Sequence, residues 1–393
     1  MTPGDENLSQ ALSGRQDPFR SLETLAKSFA ATAERHDREA SLPVANLKAL
    51  HRAGFLALTA PQTFGGAGRG LEDAVRVVGA LGRAEPATGL ITAMQYISLA
   101  SLAESRCSPT LKRETLGAAS DQGALLNALR VEPDLGTPWR GGLPATILRR
   151  TEDGWRLSGR KIYSTGAGAL TWGVVWARTD EEPPRVGNVL VPLAATGVRI
   201  HETWDHLGLR ASGSHDVIFD DVRVPEDHAA DLRSPEEWAA APDAIGAVWV
   251  SVLLAALYDG VARAAQAWTI GFLRTRAPSN LGAPLASLPL PRHAVGENEA
   301  QLAIHRRLLL SVGRDWDRDR SLNATEAGQI KVAVTEGAVA VVERALRLTG
   351  NHGLSRANPL ERHHRDVLCG RIHSPQGDMV FMNAGGMALA END

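Results

Sequence analysis

Cysteine, lysine and aromatic residues are scarce in this chain of 393 residues. The two cysteines, Cys107 and Cys369, can form neither a disulfide framework nor a cysteine-based zinc site. Lysine and arginine together number 42, of which only five are lysine, and 45 acidic residues leave a formal net charge of −3. The cations are dispersed, whereas a nucleic-acid-binding protein concentrates them on one face. We therefore expect no nucleic-acid partner.

Long apolar runs and the common catalytic motifs are also absent from the sequence. No segment reaches the roughly 20 uninterrupted apolar residues of a membrane span, and the polar N-terminal segment 1–20 lacks the apolar stretch of a secretory signal. These absences predict a cytoplasmic protein without a membrane partner. There is no P-loop, HExxH, GxSxG, CxxC or strand-linked GxGxxG motif. His201 and His206 lack further ligands at suitable spacing, so we predict no metal site.

The pattern of apolar residues changes twice along the chain. Leu22, Leu25, Ala26 and Phe29 recur at helical spacing, and residues 1–122 are predicted to form an N-terminal helical domain. Short β-branched and aromatic segments separated by turn residues then predict a central β-barrel-like domain over 123–230. Helical periodicity returns in residues 231–393, in the runs Ile245–Trp268, Glu297–Arg314 and Ala324–Leu348. Two of these runs are too apolar for surface helices and predict a bundle and a homo-oligomer.

Four stretches carry a family resemblance in their order and separation. They are QTFGGAG (62–68), NALRVEP (127–133), the pair GRKIYSTGA (159–167) and WDHLGLRASGSHDVIFDDVRVP (204–225), and LRLTGNHGLSRANPLERHHRDV (346–367). Together they resemble the acyl-CoA dehydrogenase superfamily over roughly residues 20–380. The resemblance implies an α+β fold with an N-terminal helical domain, a central β domain and a C-terminal four-helix bundle around a flavin, usually assembled as a tetramer.

The same resemblance implies a set of flavin contacts. Tyr163 matches an aromatic residue against the isoalloxazine, and Thr165 matches a hydroxyl near the reactive flavin nitrogen. The remaining matches are Val131 at the pyrimidine edge and Arg276 at the flavin phosphates across a subunit interface. Arg347 stands where many members have a glutamine and could contact a phosphate or a pyrophosphate, and Gly350 begins a glycine-rich turn near the adenosine end. An arginine fork and free backbone N–H groups suit phosphate. The cofactor is predicted to be FAD or FMN.

The sequence departs from the dehydrogenases at the positions that carry their chemistry. Dehydrogenation of an acyl-CoA needs a carboxylate base, but Ser374 stands at the matching position. The helix positions that usually face CoA hold Ala247, Val248 and Ser251. Asp259 is the one candidate for a relocated base.

The segments NPLERHHRDV (358–367) and RIHSP (371–375) are similar instead to those of the reduced-flavin, dibenzothiophene monooxygenase-like branch of this superfamily. There the histidine matching His373 points at the flavin, and Asn127 matches an asparagine of the same cavity. We predict His373 as the acid/base, because histidine exchanges protons near neutral pH. Ser164 and Asn127 are predicted to donate hydrogen bonds to the activated oxygen.

The leading prediction is therefore a flavin-dependent oxidoreductase working as a two-component monooxygenase. It would take reduced flavin from a separate NAD(P)H:flavin reductase and oxygenate a small aromatic or heteroatom-containing substrate. Two alternatives stay open: an FAD-dependent dehydrogenase or oxidase using Asp259, and a non-catalytic flavin-binding homologue. Tryptophans 172, 176, 204 and 249 are candidates for lining an apolar substrate cavity.

Overall fold

The computed structural model describes residues 19–137, 141–229 and 231–390. The expectation about a signal segment falls mainly on residues 1–18, which lie outside the described residues. The described chain begins with five helices. They are α1 (Phe19–Glu39), α2 (Val44–Arg52), α3 (Leu71–Ala84), α4 (Pro86–Glu104) and α5 (Pro109–Asp121).

Eight strands follow and form one sheet. They are β1 (Leu126–Leu129), β2 (Ile147–Thr151), β3 (Gly154–Ser164), β4 (Trp172–Thr179), β5 (Val186–Pro192), β6 (Val198–His201), β7 (His215–Val224) and β8 (Asp231–Arg233). The strand order is β6-β7-β3-β2-β4-β5-β8, with β1 added in parallel to β4. Inward-facing valines, leucines and Trp155 give this sheet a core of its own. The regular alternation along β3 is interrupted between Lys161 and Ser164 by a β-bulge, which re-aims the strand's last side chains.

The rest of the chain is helical again. It comprises α6 (Pro235–Ala240), α7 (Ala244–Thr275), α8 (Pro289–Asp319), α9 (Ala324–Thr349), the short α10 (Asn351–Leu354), α11 (Leu360–Ile372) and α12 (Gly377–Leu389). Helices α7, α8, α9 and α11 pack against one another, and α7 also packs against α3 and α4. One apolar core therefore joins the first helices to the last ones.

Glycines allow α3 and α7 to cross with their backbones in direct contact. A methyl group on Gly82 would lie 2.3 Å from the carbonyl oxygen of Leu257, and one on Gly260 would lie 2.4 Å from that of Gly79. Helix α7 is long and apolar enough to cross a membrane, but 83% of its most apolar window is buried inside the protein. Packing on several sides accounts for this apolar composition.

The predicted order of helices, strands and helices is confirmed. The changes occur between Asp121 and Leu126 and after Arg233, whereas the exact domain limits at 122/123 and 230/231 stay predictions.

Candidate active site

A cavity of about 1530 Å³ opens between the N-terminal helices, one end of the sheet and the C-terminal helices. Pockets for one small molecule usually measure about 300–1000 Å³, so this cavity has room for two ligands side by side. Helix α4, strand β1, the start of α7 and the end of α11 all contribute to its wall. The cavity brings together residues from all three parts of the chain.

Aromatic rings form one wall of the cavity. The rings of Trp204 and His206 stack with their centroids 3.7 Å apart, and the ring of Tyr163 meets both edge-on. Tyr163 has a φ of 56° and its side chain is 53% exposed, because the bulge turns it out of the sheet. A flat ligand can lie against such an exposed aromatic surface.

Polar groups stand beside this wall. The Thr165 hydroxyl lies 3.1 Å from that of Ser214, and the Asn127 amide donates to the Thr165 carbonyl at 3.1 Å. Val131 also lines the cavity, and its carbonyl accepts a hydrogen bond from the Ile162 amide. Four predicted residues, Asn127, Val131, Tyr163 and Thr165, are therefore brought to one region of the cavity.

His373 follows the last residue of α11 and also lines the cavity. Its Nδ1 atom lies 2.6 Å from the hydroxyl oxygen of Tyr258, a fully buried residue of α7. Burial, and secondarily the charge of Lys331, lowers the pKa of His373 to about 4, so the imidazole is neutral at pH 7. Among the described residues, none hydrogen-bonds its Nε2 atom.

Ser164 and Asp259 do not line this cavity. Ser164 is buried in β3, and its hydroxyl has no hydrogen-bond partner in the described part of the chain. Asp259 accepts hydrogen bonds from Arg263 at 2.6 Å and from His305 at 3.1 Å, within the packing of α7 against α8. Trp176 and Trp204 line the cavity, whereas Trp172 and Trp249 are not among its lining residues.

Arg276, Arg347 and Gly350 lie together at the other end of the bundle. Arg276 ends α7 and Gly350 ends α9, and the nearby rings of Phe272 and His352 have their centroids 5.1 Å apart. All three predicted residues are exposed. Their role as flavin contacts across a subunit interface stays a prediction.

A second, more polar arm of the cavity was not predicted from the sequence. There the Arg130 guanidinium lies over the Trp176 ring at 5.3 Å and 3.8 Å from an Asp243 oxygen. Three carboxylates line the cavity, and each is paired with an arginine: Glu104 with Arg320, Asp231 with Arg233 and Asp243 with Arg130. Each of these three carboxylates therefore has an arginine beside it, and the Glu104–Arg320 pair is exposed to solvent.

The sequence did not identify Tyr258 as the partner of His373, nor Lys331 as part of the site. Lys331 lies on the buried face of α9, in line with Ala327, Val334 and Ala338. A charged residue at an apolar position of a helix in a chain with only five lysines was the available signal. No group of three or more possible metal ligands occurs within residues 19–137, 141–229 and 231–390.

Comparisons with known proteins agree with this architecture. Models of the N-terminal, middle and C-terminal domains of acyl-CoA dehydrogenase match residues 20–121, 131–222 and 252–375. YdbM of Bacillus subtilis, whose name describes an acyl-CoA dehydrogenase, is 30% identical over 91% of this chain and 92% of its own length. The amino sugar nitrososynthase DnmZ of Streptomyces peucetius is 28% identical over 90% and 88%.

Solved structures share the fold over nearly the whole chain. KijD3 in complex with dTDP has a TM-score of 0.80 at 28% identity, covering 99% of this chain and 97% of its own. Another KijD3 structure contains FMN and dTDP-3-amino-2,3,6-trideoxy-4-keto-3-methyl-D-glucose, with a TM-score of 0.81 at 27% identity over 100% and 96%. Butyryl-CoA dehydrogenase of Megasphaera elsdenii, at 20% identity and a TM-score of 0.85 over 95% and 99%, shows the fold alone.

Proposed function

We propose that this chain, which belongs to the acyl-CoA dehydrogenase family, is a flavin-dependent monooxygenase. In this proposal it receives reduced FMN or FAD from a separate NAD(P)H:flavin reductase and oxygenates a small aromatic or heteroatom-containing substrate. The observation that carries the proposal is the neutral imidazole of His373, held by Tyr258 at the wall of the cavity. It stands in a cavity whose carboxylates are all paired with arginine.

The residues present fit a flavin. The aromatic wall of Tyr163, Trp204 and His206 suits a flat ring system, while Thr165 and the backbone at Val131 offer polar groups beside it. When bound in its reduced form, a flavin supplies the electrons that activate O₂. The FMN held by KijD3, at 27% identity, supports the same cofactor class for this chain.

His373 would act through its Nε2 atom on the substrate or on the oxygen being transferred. If its Nδ1–H donates to the Tyr258 oxygen, the free Nε2 lone pair can accept a hydrogen bond from a substrate N–H or O–H group, although the pKa of about 4 makes it a weak base at pH 7. If the Tyr258 hydroxyl donates instead, Nε2–H can donate a hydrogen bond to the oxygen being transferred. Leu209, Leu254 and Ile245 line the same cavity, and apolar side chains packed against a bound ligand would keep water from a reactive oxygen species.

The alternative of a dehydrogenase with a relocated base has less support from the geometry. Asp259 is held by Arg263 and His305 and does not line the cavity. Reaction of Asp259 with a ligand in the cavity would require breaking both contacts. The reason to test this alternative is the similarity to YdbM, whose name describes an acyl-CoA dehydrogenase.

The proposal includes assembly as a homo-oligomer, with a tetramer expected from the family, in the cytoplasm. Helix α12 buries only Val380 among its 13 residues, and it exposes Phe381, Met382 and Leu389. An exposed apolar surface of this kind is typical of an interface. In this proposal, a second copy of the chain covers the exposed apolar side chains of α12.

The first test measures how the reduced flavoprotein reacts with O₂. The FMN-loaded chain is reduced without oxygen and mixed with oxygenated buffer, and the return of oxidised flavin is followed by absorbance. We expect a slow return in the native chain and a several-fold faster one in His373→Ala. A prompt return in the native chain contradicts the monooxygenase proposal. Reduction of the bound flavin by an acyl-CoA, lost in Asp259→Asn, would establish the dehydrogenase instead.

The second test identifies the product. DnmZ and KijD3 suggest nucleotide-linked amino sugars as the first substrates to try. Mass spectrometry with isotope-labelled O₂ should show one labelled oxygen atom in the product. Hydrogen peroxide as the sole product with every amine, thiol and aromatic compound offered would contradict oxygen transfer.

A further inference from the structure

Lys331 is a buried cation outside the catalytic residues described above. It lies on α9 with 1% of its surface exposed. Its ammonium group donates to the carbonyl oxygens of Gly370 at 2.6 Å, His373 at 2.7 Å and Pro375 at 3.1 Å. All three N–H groups of the ammonium therefore have backbone acceptors, and those acceptors belong to the end of α11 and the turn that follows it.

Burial of this charge is costly without a carboxylate to pair with it. The nearest acidic group acting on it, Glu336, is itself bound by Arg371 at 2.7 Å. What balances the ammonium is the C-terminal end of α11, where unpaired carbonyl groups carry partial negative charge. An apolar side chain at this position would leave the carbonyl groups of Gly370, His373 and Pro375 without this donor, which is unfavourable for buried acceptors. The lysine therefore ties the end of α11 and the following turn to α9.

We propose that Lys331 is the positioning residue for His373. Its three hydrogen bonds fix the turn 373–375, which sets the direction of the imidazole toward Tyr258 and the cavity. Its positive charge also disfavours a second positive charge on the imidazole. This inference rests on the proposed function for its catalytic meaning, but its structural content can be tested separately.

The groups around the imidazole agree with this arrangement. Tyr258 faces it from α7 with a pKa raised well above 10.0 by burial, and Cys369 precedes it on α11 with a pKa raised to about 12. Both groups are neutral at pH 7. Burial lowers the pKa of Lys331 to about 8, so its ammonium is still charged at pH 7 and is the cation that acts on His373.

The experiment uses four variants of the full chain. Lys331→Met removes the charge and the donors, Lys331→Gln keeps donors without charge, and Lys331→Arg keeps both. Val334→Ala, buried on the same helix, is the packing control. Histidine ring NMR signals are followed from about pH 2.5 to pH 8, so that the range extends below the His373 pKa of about 4, with His373 assigned by the signal missing in His373→Asn.

We expect the midpoint of the His373 titration, which gives its pKa, to rise toward the ordinary value of about 6.5 in Lys331→Met and Lys331→Gln. It should stay near the native midpoint in Lys331→Arg and in Val334→Ala. An unchanged midpoint in Lys331→Gln, or an equal change in Val334→Ala, overturns the proposal. This readout needs neither flavin nor substrate, so it can fail or succeed independently of the monooxygenase assignment.

The charge of Lys331 can also be measured in the native chain, so that this result does not depend on whether Lys331→Met and Lys331→Gln fold. With lysine labelled at Cε, the five lysines give five signals, and Lys331 is assigned by its loss in Lys331→Arg. The proposal requires this signal to be that of a charged ammonium at pH 7. A neutral Lys331 at pH 7 overturns the electrostatic role directly.

Discussion

At the scale of single residues, the site depends on one contact between distant parts of the chain. The Tyr258 hydroxyl and His373 Nδ1 are separated by 115 positions in sequence and by 2.6 Å in the fold. The sequence identified His373 through its segment, but it offered no reason to pair it with Tyr258. A partly buried histidine without such a partner would rotate among several orientations or lose a hydrogen bond.

Removal of the Tyr258 hydroxyl should separate the role of this group in orienting His373 from the role of the ring in packing. In Tyr258→Phe the ring remains but Nδ1 loses its partner, which costs about 1–3 kcal/mol of stability for an unpaired buried group. We expect the return of oxidised flavin to accelerate, with about tenfold less oxygen transfer to substrate, equivalent to about 1.4 kcal/mol. Denaturant unfolding and the ratio of product to hydrogen peroxide measure the two effects.

Tyr96→Phe is the matched control for this change. The Tyr96 hydroxyl is also buried and donates to the Phe55 carbonyl at 2.6 Å, but Tyr96 does not line the cavity. It should lose similar stability with unchanged flavin chemistry. Equal effects of both variants on the flavin reaction would mean that Tyr258 acts only through global stability.

At the scale of elements, the distance between α11 and α7 decides whether the imidazole reaches the tyrosine. A methyl group on Gly370 would lie 2.9 Å from Cδ2 of the Tyr258 ring and 3.2 Å from Cγ2 of Thr335. Only glycine permits this approach without displacement of one helix. The packing of α11 therefore depends on the absence of a side chain at one position.

Gly370→Ala should push α11 away from α7. Overpacking of this kind costs about 1–3 kcal/mol, and the displaced helix carries His373 with it. The NMR titration of His373 should then move toward that of an exposed histidine. Gly377→Ala provides the comparison, because its added methyl group would meet Val332 only at 3.6 Å. A native titration in Gly370→Ala would show that the turn, rather than the helix, sets the position of His373.

Most elements could be predicted from the sequence because their apolar residues repeat regularly. The run Ala324–Leu348 corresponds to α9, Ala324–Thr349, and Ile245–Trp268 corresponds to α7, Ala244–Thr275. The prediction of Glu297–Arg314 for α8 was short at both ends, since the helix spans Pro289–Asp319 and its buried face extends from Pro291 to Trp316. The outward turn of Tyr163 depends on a bulge, and the contacts of Lys331 with the carbonyls of residues 370–375 depend on tertiary packing. Periodicity encodes neither.

At the scale of the whole molecule, two surfaces are left uncovered by the part of the chain that the structure describes. One is the apolar face of α12, and the other is the exposed bundle end that carries Arg276, Arg347 and Gly350. A flavin in the cavity of the same chain is not contacted by these three residues, because none of them lines that cavity. The predicted phosphate contacts therefore require a second copy of the chain.

Charged substitutions on the apolar face of α12 test whether the chain associates with a second copy. Aspartates in place of Phe381 and Met382, which are 62% and 75% exposed, place charges on a surface that a second copy would bury, and buried unpaired charges oppose association. We expect sedimentation velocity to show smaller particles than for the native chain, while denaturant stability of the separated chain changes little because both side chains are already exposed. Val44→Asp, on the exposed side of α2, introduces a comparable charge without this effect. If the native chain itself sediments as a monomer, neither the oligomer nor flavin binding across subunits can stand, and the bundle-end arginines must have another role.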